Sequence, residues 1–303
     1  MRWVRRAAFR LALLAAVVVV VPAASVHPTT ISLTTIGTAK AVDAGDGTIW
    51  VLALGSEASG GQDVGEGLTD AIQLVGVQPR TGRAVAIGLP RDLYVELDGG
   101  RDRLNTALRD DGTEGVAREV DELLGIRPDL VLVTGFDGFR SMMGVVGEIT
   151  VDSPYDFTTD DGDVVVRPGG TALDPEQALS YVTTRDALPL SSDYERVANH
   201  QRLLLGVLAR LRAQEDDEGF LERTTLAALA GLETDLSPSA AYRIVQALTT
   251  IDPARTTACI IRGERSIQFG ADVLLPDLEQ ARAVGADARD DLRIRGGCRD
   301  GSG

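Results

Sequence analysis

An arginine and a carboxylate stand side by side where an apolar run ends. The run closes at Leu89, Pro90 follows, and Arg91 and Asp92 come next. A guanidinium can clamp an oxyanion such as phosphate through parallel hydrogen bonds, while a neighbouring carboxylate orients it or holds a metal ion. A surface salt bridge beside a turn has the same sequence, and exposed ion pairs are common and weak. The pair alone therefore leaves anion binding and a surface ion pair as alternatives.

Other polar residues also stand next to the ends of apolar runs. Ile49 to Gly55 is a continuous apolar run stopped by glycine, as expected of a strand buried on both faces. A glycine-rich acidic loop from Ser56 to Asp70 precedes the next run. Loops at strand ends commonly build the sites of α/β proteins, so Asp70 and Arg91 are candidates for one site.

The remaining pattern alternates short apolar runs with longer amphipathic segments. Further strands are predicted at Ala71–Val77, Ala84–Leu89, Leu93–Leu97, Leu130–Thr134, Val164–Val166 and Thr257–Ile261. Helices are predicted at Thr113–Leu124, Phe136–Val146, Asp174–Tyr181, Tyr194–Arg212, Phe220–Leu232 and Pro238–Thr250, and from Asp277 onward. Such alternation predicts an α/β fold with a mixed central sheet flanked by helices.

Composition and charge narrow the possible functions. The 303 residues carry a formal net charge of −15, which argues against general nucleic-acid binding because that needs a basic surface. An anionic ligand would need a local basic pocket. Cys259 and Cys298 are the two cysteines; they are expected to form a disulfide if the domain is exported, and otherwise to be free buried thiols. Neither has a histidine neighbour that would suggest zinc.

The first residues have the pattern of an export signal. Four arginines precede an uncharged apolar run from Leu11 to Val21. We expect residues 1–26 to be an uncleaved signal anchor, which makes the protein single-pass in the cell membrane with an extracytoplasmic domain. Cleavage near Ala23–Ser25 is the alternative. Residues 27–47 are predicted to be a linker, and residues 48–303 one folded domain.

An ordered set of motifs then resembles one family. The set comprises Gly55–Ser56–Glu57, Leu68–Thr69–Asp70, Pro90–Arg91–Asp92, Arg103–Leu104–Asn105, the segment Val133–Asp152, the segment Leu173–Arg185, and Asp193–Arg196 at the start of a long helix. Together they resemble the LytR–CpsA–Psr family of envelope phosphotransferases. The resemblance covers residues 49–211, and residues 212–303 are expected to complete the same domain.

The resemblance implies a ligand and a reaction. Members of the family bind a polyprenyl-(pyro)phosphate-linked glycan, with the lipid in an apolar tunnel between sheet and helices. Arginines clamp the pyrophosphate, acids hold Mg²⁺, and the glycan phosphate is transferred to a peptidoglycan hydroxyl. Such chemistry depends on positioning and charge neutralisation more than on covalent help from the protein.

Carried over residue by residue, the resemblance assigns a role to each matching position. Asp70 and Glu57 would hold Mg²⁺, and Asp70, Arg91 and Asp92 would be catalytic. Asp193 or Asp92 would orient groups or deprotonate the acceptor. The phosphate would be bound by Arg91, Arg185, Arg196 and Arg103, with Asp193 beside them.

Three positions depart from the family pattern. Ser59, Leu68 and Thr183 stand where arginines are usual, and a lost charge-assisted contact costs roughly 1.5–3 kcal/mol of binding. Arg101 or Arg103 could compensate. Two functions therefore stay open: an active glycopolymer transferase, or a catalytically weak homologue that binds polyprenyl phosphate or wall polymer. A purely structural envelope protein is a third alternative.

Overall fold

A seven-stranded mixed sheet forms the centre of the fold in the computed structural model, which describes residues 28–36, 47–188, 193–214, 233–295 and 298. The strands are β1 Ile31–Thr35, β2 Ile49–Ser56, β3 Thr69–Gln78, β4 Arg83–Gly88, β5 Tyr94–Leu97, β6 Gly100–Arg103, β7 Leu130–Thr134, β8 Ile149–Ser153, β9 Phe157–Thr158, β10 Val165–Val166, β11 Gly169–Leu173, β12 Glu233–Thr234, β13 Thr256–Ile260, β14 Gly263–Gln268 and β15 Ala271–Pro276. The described helices are α1 Ala107–Leu124, α2 Phe136–Val146, α3 Pro175–Thr183, α4 Asp193–Ala213, α5 Pro238–Thr249 and α6 Leu278–Asp291.

The sheet order is β12–β1–β7–β2–β3–β4–β13. Strands β2, β4, β7 and β13 run in one direction, while β1 and β3 run in the opposite direction. The carboxyl ends of β2, β4, β7 and β13 therefore lie along the same edge of the sheet, the one formed by the strand ends rather than by an outer strand. We call this edge the site edge, since Arg91 and Asp70 both lie there.

Both faces of the sheet are buried, and strand β2 shows how its sequence achieves this. Successive side chains of a strand point to opposite faces. Leu52 and Leu54 join a core with α1 and α6, whereas Ile49 and Val51 join a core with α4 and α5. An uninterrupted apolar run is thus required in β2, and the predicted α/β fold with a mixed, helix-flanked sheet is confirmed.

Some helix boundaries lie where the sequence predicts them, and others lie several residues away. Asp174 caps α3 with Pro175 at its first position, and Gly125 ends α1 in the left-handed conformation at φ 68°. Helix α1 begins at Ala107 rather than Thr113, with a break at Gly112, where φ is also 68°. The predicted helix from Phe220 to Leu232 lies outside the described residues.

The expected linker at residues 27–47 contains a strand, so that prediction is wrong for residues 31–35. Strand β1 pairs with β7 and with β12, which lie about a hundred or more residues away in the chain. Its Ser and Thr content hides the strand in the sequence, because the pairing is supplied by distant partners. The hairpin of β14 and β15 was not predicted either.

The two cysteines are joined. Cys259, buried in β13, forms a disulfide with Cys298, and their Cα atoms are 5.3 Å apart. The predicted pairing is confirmed, and it fastens the end of the chain to the edge strand of the sheet. Across the described helices, none combines the length and apolar character needed to span a bilayer. The predicted signal anchor at residues 1–26 lies outside the described part of the chain.

Candidate functional site

The turn after β4 places Arg91 at the site edge. Leu93 donates its backbone N–H to the carbonyl of Pro90 at 3.2 Å, so the chain reverses here. The backbone N–H of Asn105 donates to the carbonyl of Arg91 at 3.0 Å. The hairpin of β5 and β6 returns Arg103 to the same place, where it pairs with Tyr94. The rigid turn fixes the direction of the Arg91 side chain.

Asp70 is the centre of the cluster. One carboxylate oxygen accepts a hydrogen bond from Nη1 of Arg91, and the other accepts from Nη2 of Arg185. Burial raises the pKa of Asp70, but the attraction of the two guanidinium groups outweighs it and holds the pKa below its usual value. Asp70 is therefore an anion that holds two arginines side by side, one of them 115 residues away from it in the sequence.

Arg185 lies on a loop that Asp160 shapes. The Asp160 carboxylate accepts backbone N–H groups from Arg185 at 2.7 Å, Asp186 at 3.2 Å and Ala187 at 2.8 Å. These three bonds hold the pKa of Asp160 below its usual value, although burial opposes them. The loop after α3 is thus fixed so that the Arg185 side chain points to Asp70.

Glu57 adds a second carboxylate beside Asp70. Its Oε1 lies 3.5 Å from Nη2 of Arg185. Burial, and then repulsion by Asp70, raise the pKa of Glu57 above its usual value. The two acids therefore repel each other, although the Arg185 guanidinium lies within ion-pair distance of both.

A carboxyl pair lies on the other side of Arg91. Asp92 follows Arg91 in the turn, Asp193 begins α4, and Nε of Arg91 is 3.9 Å from an oxygen of each. Burial and a hydrogen bond with Asp193 raise the pKa of Asp92 to about 6. Burial also raises the pKa of Asp193, but that hydrogen bond and Arg196 outweigh it and lower the pKa. Below about pH 6 the pair thus shares one proton, held by Asp92.

Two further arginines complete the cluster. Arg196, one turn into α4, donates to Asp193, and its side chain is only 6% exposed. Burial lowers the pKa of Arg196, against the attraction of Asp193. Nη1 of Arg103 lies 3.6 Å from Asp92. Four guanidinium groups and four carboxylates therefore meet at one edge of the sheet.

The predicted site residues are thus brought together. The residues that replace family arginines do not take part in the ion pairs of this cluster. Ser59 is exposed. The hydroxyl of Thr183 donates back to the carbonyl of Leu179 at 2.9 Å. Arg101 lies over the ring of Tyr94 and 3.6 Å from Glu96, so it points away from the cluster. Of the two arginines that could compensate, only Arg103 is near.

Sequence reasoning missed two residues that position the site. Asp160 fixes the Arg185 loop, and its only signal in the sequence is a carboxylate in a turn-rich segment. Tyr194 follows Asp193 in α4, and its hydroxyl bonds both the N–H and the carbonyl of Gly263, at 3.0 and 3.1 Å. Neither contact has a local signature, because each joins distant parts of the chain.

Glu57 and Asp70 fit the donor chemistry of Mg²⁺. Among the residues that the structure describes, no group of three or more metal-ligating side chains occurs. Mg²⁺ needs fewer, because it commonly takes one or two carboxylates together with phosphate oxygens and water. The repulsion between these two acids is what a divalent cation would relieve.

Comparison with known proteins gives one family. The LytR_cpsA_psr family model matches residues 24–289. The polyisoprenyl-teichoic acid–peptidoglycan teichoic acid transferase TagU of Enterococcus faecalis is 29% identical over 189 residues, which are 62% of this chain and 61% of that protein. The probable cell wall biosynthesis protein LcpB of Corynebacterium glutamicum is 31% identical over 150 residues, 49% of this chain and 36% of that one. The chain thus spans less than two thirds of these relatives.

Solved structures share the fold. Bacillus subtilis TagV has a TM-score of 0.68 at 22% identity, covering 81% of this chain and 98% of that chain. The TagT protein YwtF with bound octaprenyl pyrophosphate has a TM-score of 0.63 at 21% identity, covering 85% and 95%. At this identity the similarity shows a shared fold and nothing more.

Proposed function

The chain belongs to the LytR_cpsA_psr family, and we propose that it transfers a glycopolymer from a polyprenyl pyrophosphate carrier to a peptidoglycan hydroxyl during envelope biogenesis. Its domain would work outside the cytoplasm, on a single-pass membrane anchor. The name of the TagU relative and the octaprenyl pyrophosphate bound to TagT support this class of substrate.

The observation that carries the proposal is the arginine cluster around Asp70. Arg91 and Arg185 both donate to Asp70, and Arg196 lies close enough to lower its pKa further. In a protein of net charge −15, such a concentration of guanidinium groups at one edge is what a pyrophosphate requires. Guanidinium groups offer planar paired donors that match phosphate oxygens.

The reaction forms one bond and breaks one. The acceptor hydroxyl oxygen attacks the glycan-side phosphorus, and the bond from that phosphorus to the bridging oxygen breaks. Polyprenyl monophosphate leaves, carrying the bridging oxygen. Arg91, Arg185 and Arg196 stabilise the negative charge that spreads over the phosphate oxygens.

The carboxyl pair supplies a base for the hydroxyl proton. Asp92, with a pKa of about 6, is ionised at neutral pH and is a stronger base than Asp193, whose pKa is lowered. An efficient general base has a pKa near the working pH. Asp92 therefore takes the proton, and Asp193 holds Arg196 and Arg91 in place.

Mg²⁺ would be held by Asp70 and Glu57 together with phosphate oxygens. When bound, it would neutralise charge on the pyrophosphate. The arginines that already pair with these acids would then be free to turn toward the phosphates.

A catalytically weak lipid-binding protein is the second candidate. Ser59, Leu68 and Thr183 offer no positive charge at positions where family members usually have arginine. Each missing contact would weaken the hold on pyrophosphate by roughly 1.5–3 kcal/mol. The retained cluster would still bind the carrier, and turnover would be lost first.

Turnover of a synthetic polyprenyl pyrophosphate by the purified chain with Mg²⁺ tests the proposal, with water as acceptor and inorganic phosphate release as readout. We expect turnover by the wild type and a loss of at least about a hundredfold in Asp70→Asn, which removes two charge-assisted bonds. Asp63→Asn is the matched control, because Asp63 only caps a short helix in the same loop. Binding without turnover would favour the second candidate, and neither binding nor turnover would contradict both.

A further inference from the structure

The β14–β15 hairpin presents apolar side chains to water at its tip. Phe269 is 100% exposed and Ile267 is 71% exposed, the two highest values among the large hydrophobic residues that the structure describes as exposed. Phe269 and Gly270 form a two-residue turn in which both φ angles are positive, 49° and 84°. Such turns favour Asn-Gly, and a side chain as large as Phe is strained there. No residue that the structure describes buries the Phe269 side chain and so offsets this strain.

The root of this hairpin is fastened to the candidate site. The backbone N–H of Leu274 donates to the carbonyl of Asp92 at 2.8 Å. On the other strand, Gly263 exchanges two hydrogen bonds with the hydroxyl of Tyr194, the neighbour of Asp193. These hydrogen bonds therefore fix the position of the hairpin relative to Asp92 and Asp193.

The strand register gives the direction of the tip. Leu274 pairs in parallel with Leu93, directly after the turn that reverses the chain at the site edge. Residues before Leu274 therefore lie beyond that turn, outside the edge of the sheet. Phe269 is five residues back, which is about 16 Å at the usual strand rise. The hairpin thus stands beside the site and projects past it.

The chain also enters the fold at this edge. Ile31 pairs with Thr134, the last residue of β7, and the carbonyl of Thr30 accepts the N–H of Gly135 at 3.1 Å. Ile31 is only the fifth residue after Val26, where the predicted membrane segment ends. An extended chain of that length spans at most about 17 Å. A bilayer that holds the predicted anchor must therefore lie close to the site edge, within reach of the hairpin tip.

We propose that Phe269 and Ile267 insert into the interfacial layer of the bilayer and set the height of the site above the membrane. The charged residues of the hairpin are Glu264, Arg265 and Asp272, a net charge of −1, so the docking depends on apolar burial rather than on attraction to anionic lipid. The inference does not depend on transfer activity, since a protein that only binds the lipid carrier would gain the same positioning. The partner is a lipid surface.

Tryptophan placed at the tip tests this docking. The full chain, carrying Trp3→Phe so that buried Trp50 is the one native indole left, is reconstituted in phosphatidylcholine vesicles with or without brominated acyl chains. The indole introduced by Phe269→Trp should fluoresce at a shorter wavelength than an indole in water. Most of its fluorescence should be quenched in the vesicles with brominated acyl chains. Arg80→Trp, an exposed position in the β3–β4 turn at the opposite edge, should show neither effect.

Three outcomes would overturn the proposal. One is water-like emission from Phe269→Trp that bromine leaves unchanged in vesicles that carry the protein. Another is a blue shift that grows with protein concentration and ignores bromine, which would mean contact between copies of the chain. The third is a chain that fails to float with the vesicles at all. Adding Ile267→Ser to Phe269→Trp should reduce the quenching, because it removes the second apolar anchor.

Discussion

Replacing Asp92 with asparagine should stabilise the fold at neutral pH, and the gain should disappear in acid. The side chain of Asp92 is 19% exposed. Burial and its bond with Asp193 raise its pKa from 3.8 to about 6. The folded protein therefore binds this proton more tightly than the unfolded chain does. Stability falls as the pH rises from about 4 to about 6, and the loss is complete above that range.

The size of the effect follows from the pKa shift. A shift of about two units corresponds to about 3 kcal/mol of unfolding free energy. The effects of Arg91 and Arg103 are already contained in that pKa, because both attract the ionised carboxylate. Asparagine resembles the protonated acid and still offers an N–H to Asp193. Asp92→Asn should thus exceed the wild type by up to about 3 kcal/mol at pH 8 and by only about 1 kcal/mol at pH 4.5.

Urea unfolding at the two pH values, with Asp156→Asn as control, measures this difference directly. Asp156 is an exposed acid outside the cluster, so its variant should follow the wild type at both pH values. An equal difference between Asp92→Asn and wild type at pH 4.5 and pH 8 would refute the reasoning. So would a variant that is less stable than the wild type at pH 8.

Three further predictions concern the fold. Burial lowers the pKa of His200 to about 4, so its neutral ring contributes about 3 kcal/mol of stability that is lost as the pH falls from about 6.5 toward 4, opposite in sign to the effect of Asp92. His200→Gln should therefore gain about that much stability relative to the wild type over this range, measured by urea unfolding at a series of pH values. Gly285→Ala should be strongly destabilising in thermal melts, because a Cβ would lie 1.8 Å from a carbonyl oxygen of α1, whereas Gly144→Ala, with open space around it, should be neutral or slightly stabilising. Reducing the Cys259–Cys298 disulfide, which spans 39 residues, should lower the unfolding free energy by about 4 kcal/mol, measured by urea titration with and without reductant. A His200→Gln variant that follows the pH dependence of the wild type, a Gly285→Ala variant as stable as Gly144→Ala, or unchanged stability after reduction would contradict the corresponding argument.

Much of the fold could be predicted where one segment carries its own pattern. Strand β7 and helix α2 have the predicted bounds, and Asp174 with Pro175 marks the start of α3. Strand β1 could not be predicted because its partners come from distant segments and its own sequence is polar. The β14–β15 hairpin was hidden because Phe269 stands where a turn of this kind favours asparagine.

The candidate site was predictable only in part, for a similar reason. The pair Arg91–Asp92 stood out locally, whereas Arg185 was connected to Asp70 by the order of family motifs rather than by any local pattern. Asp160 was missed because it acts on backbone N–H groups that lie 25 or more residues away. The apolar lipid tunnel, the bound Mg²⁺ and the individual roles of the site residues stay predictions.

The structure of a complex with a prenyl pyrophosphate tests the central claim most directly. We predict pyrophosphate density between Arg91, Arg185 and Arg196, with each guanidinium within hydrogen-bonding distance of a phosphate oxygen and the prenyl chain leading away from the site edge. Pyrophosphate bound elsewhere, with Arg91 and Arg185 still paired only to Asp70, would contradict the account.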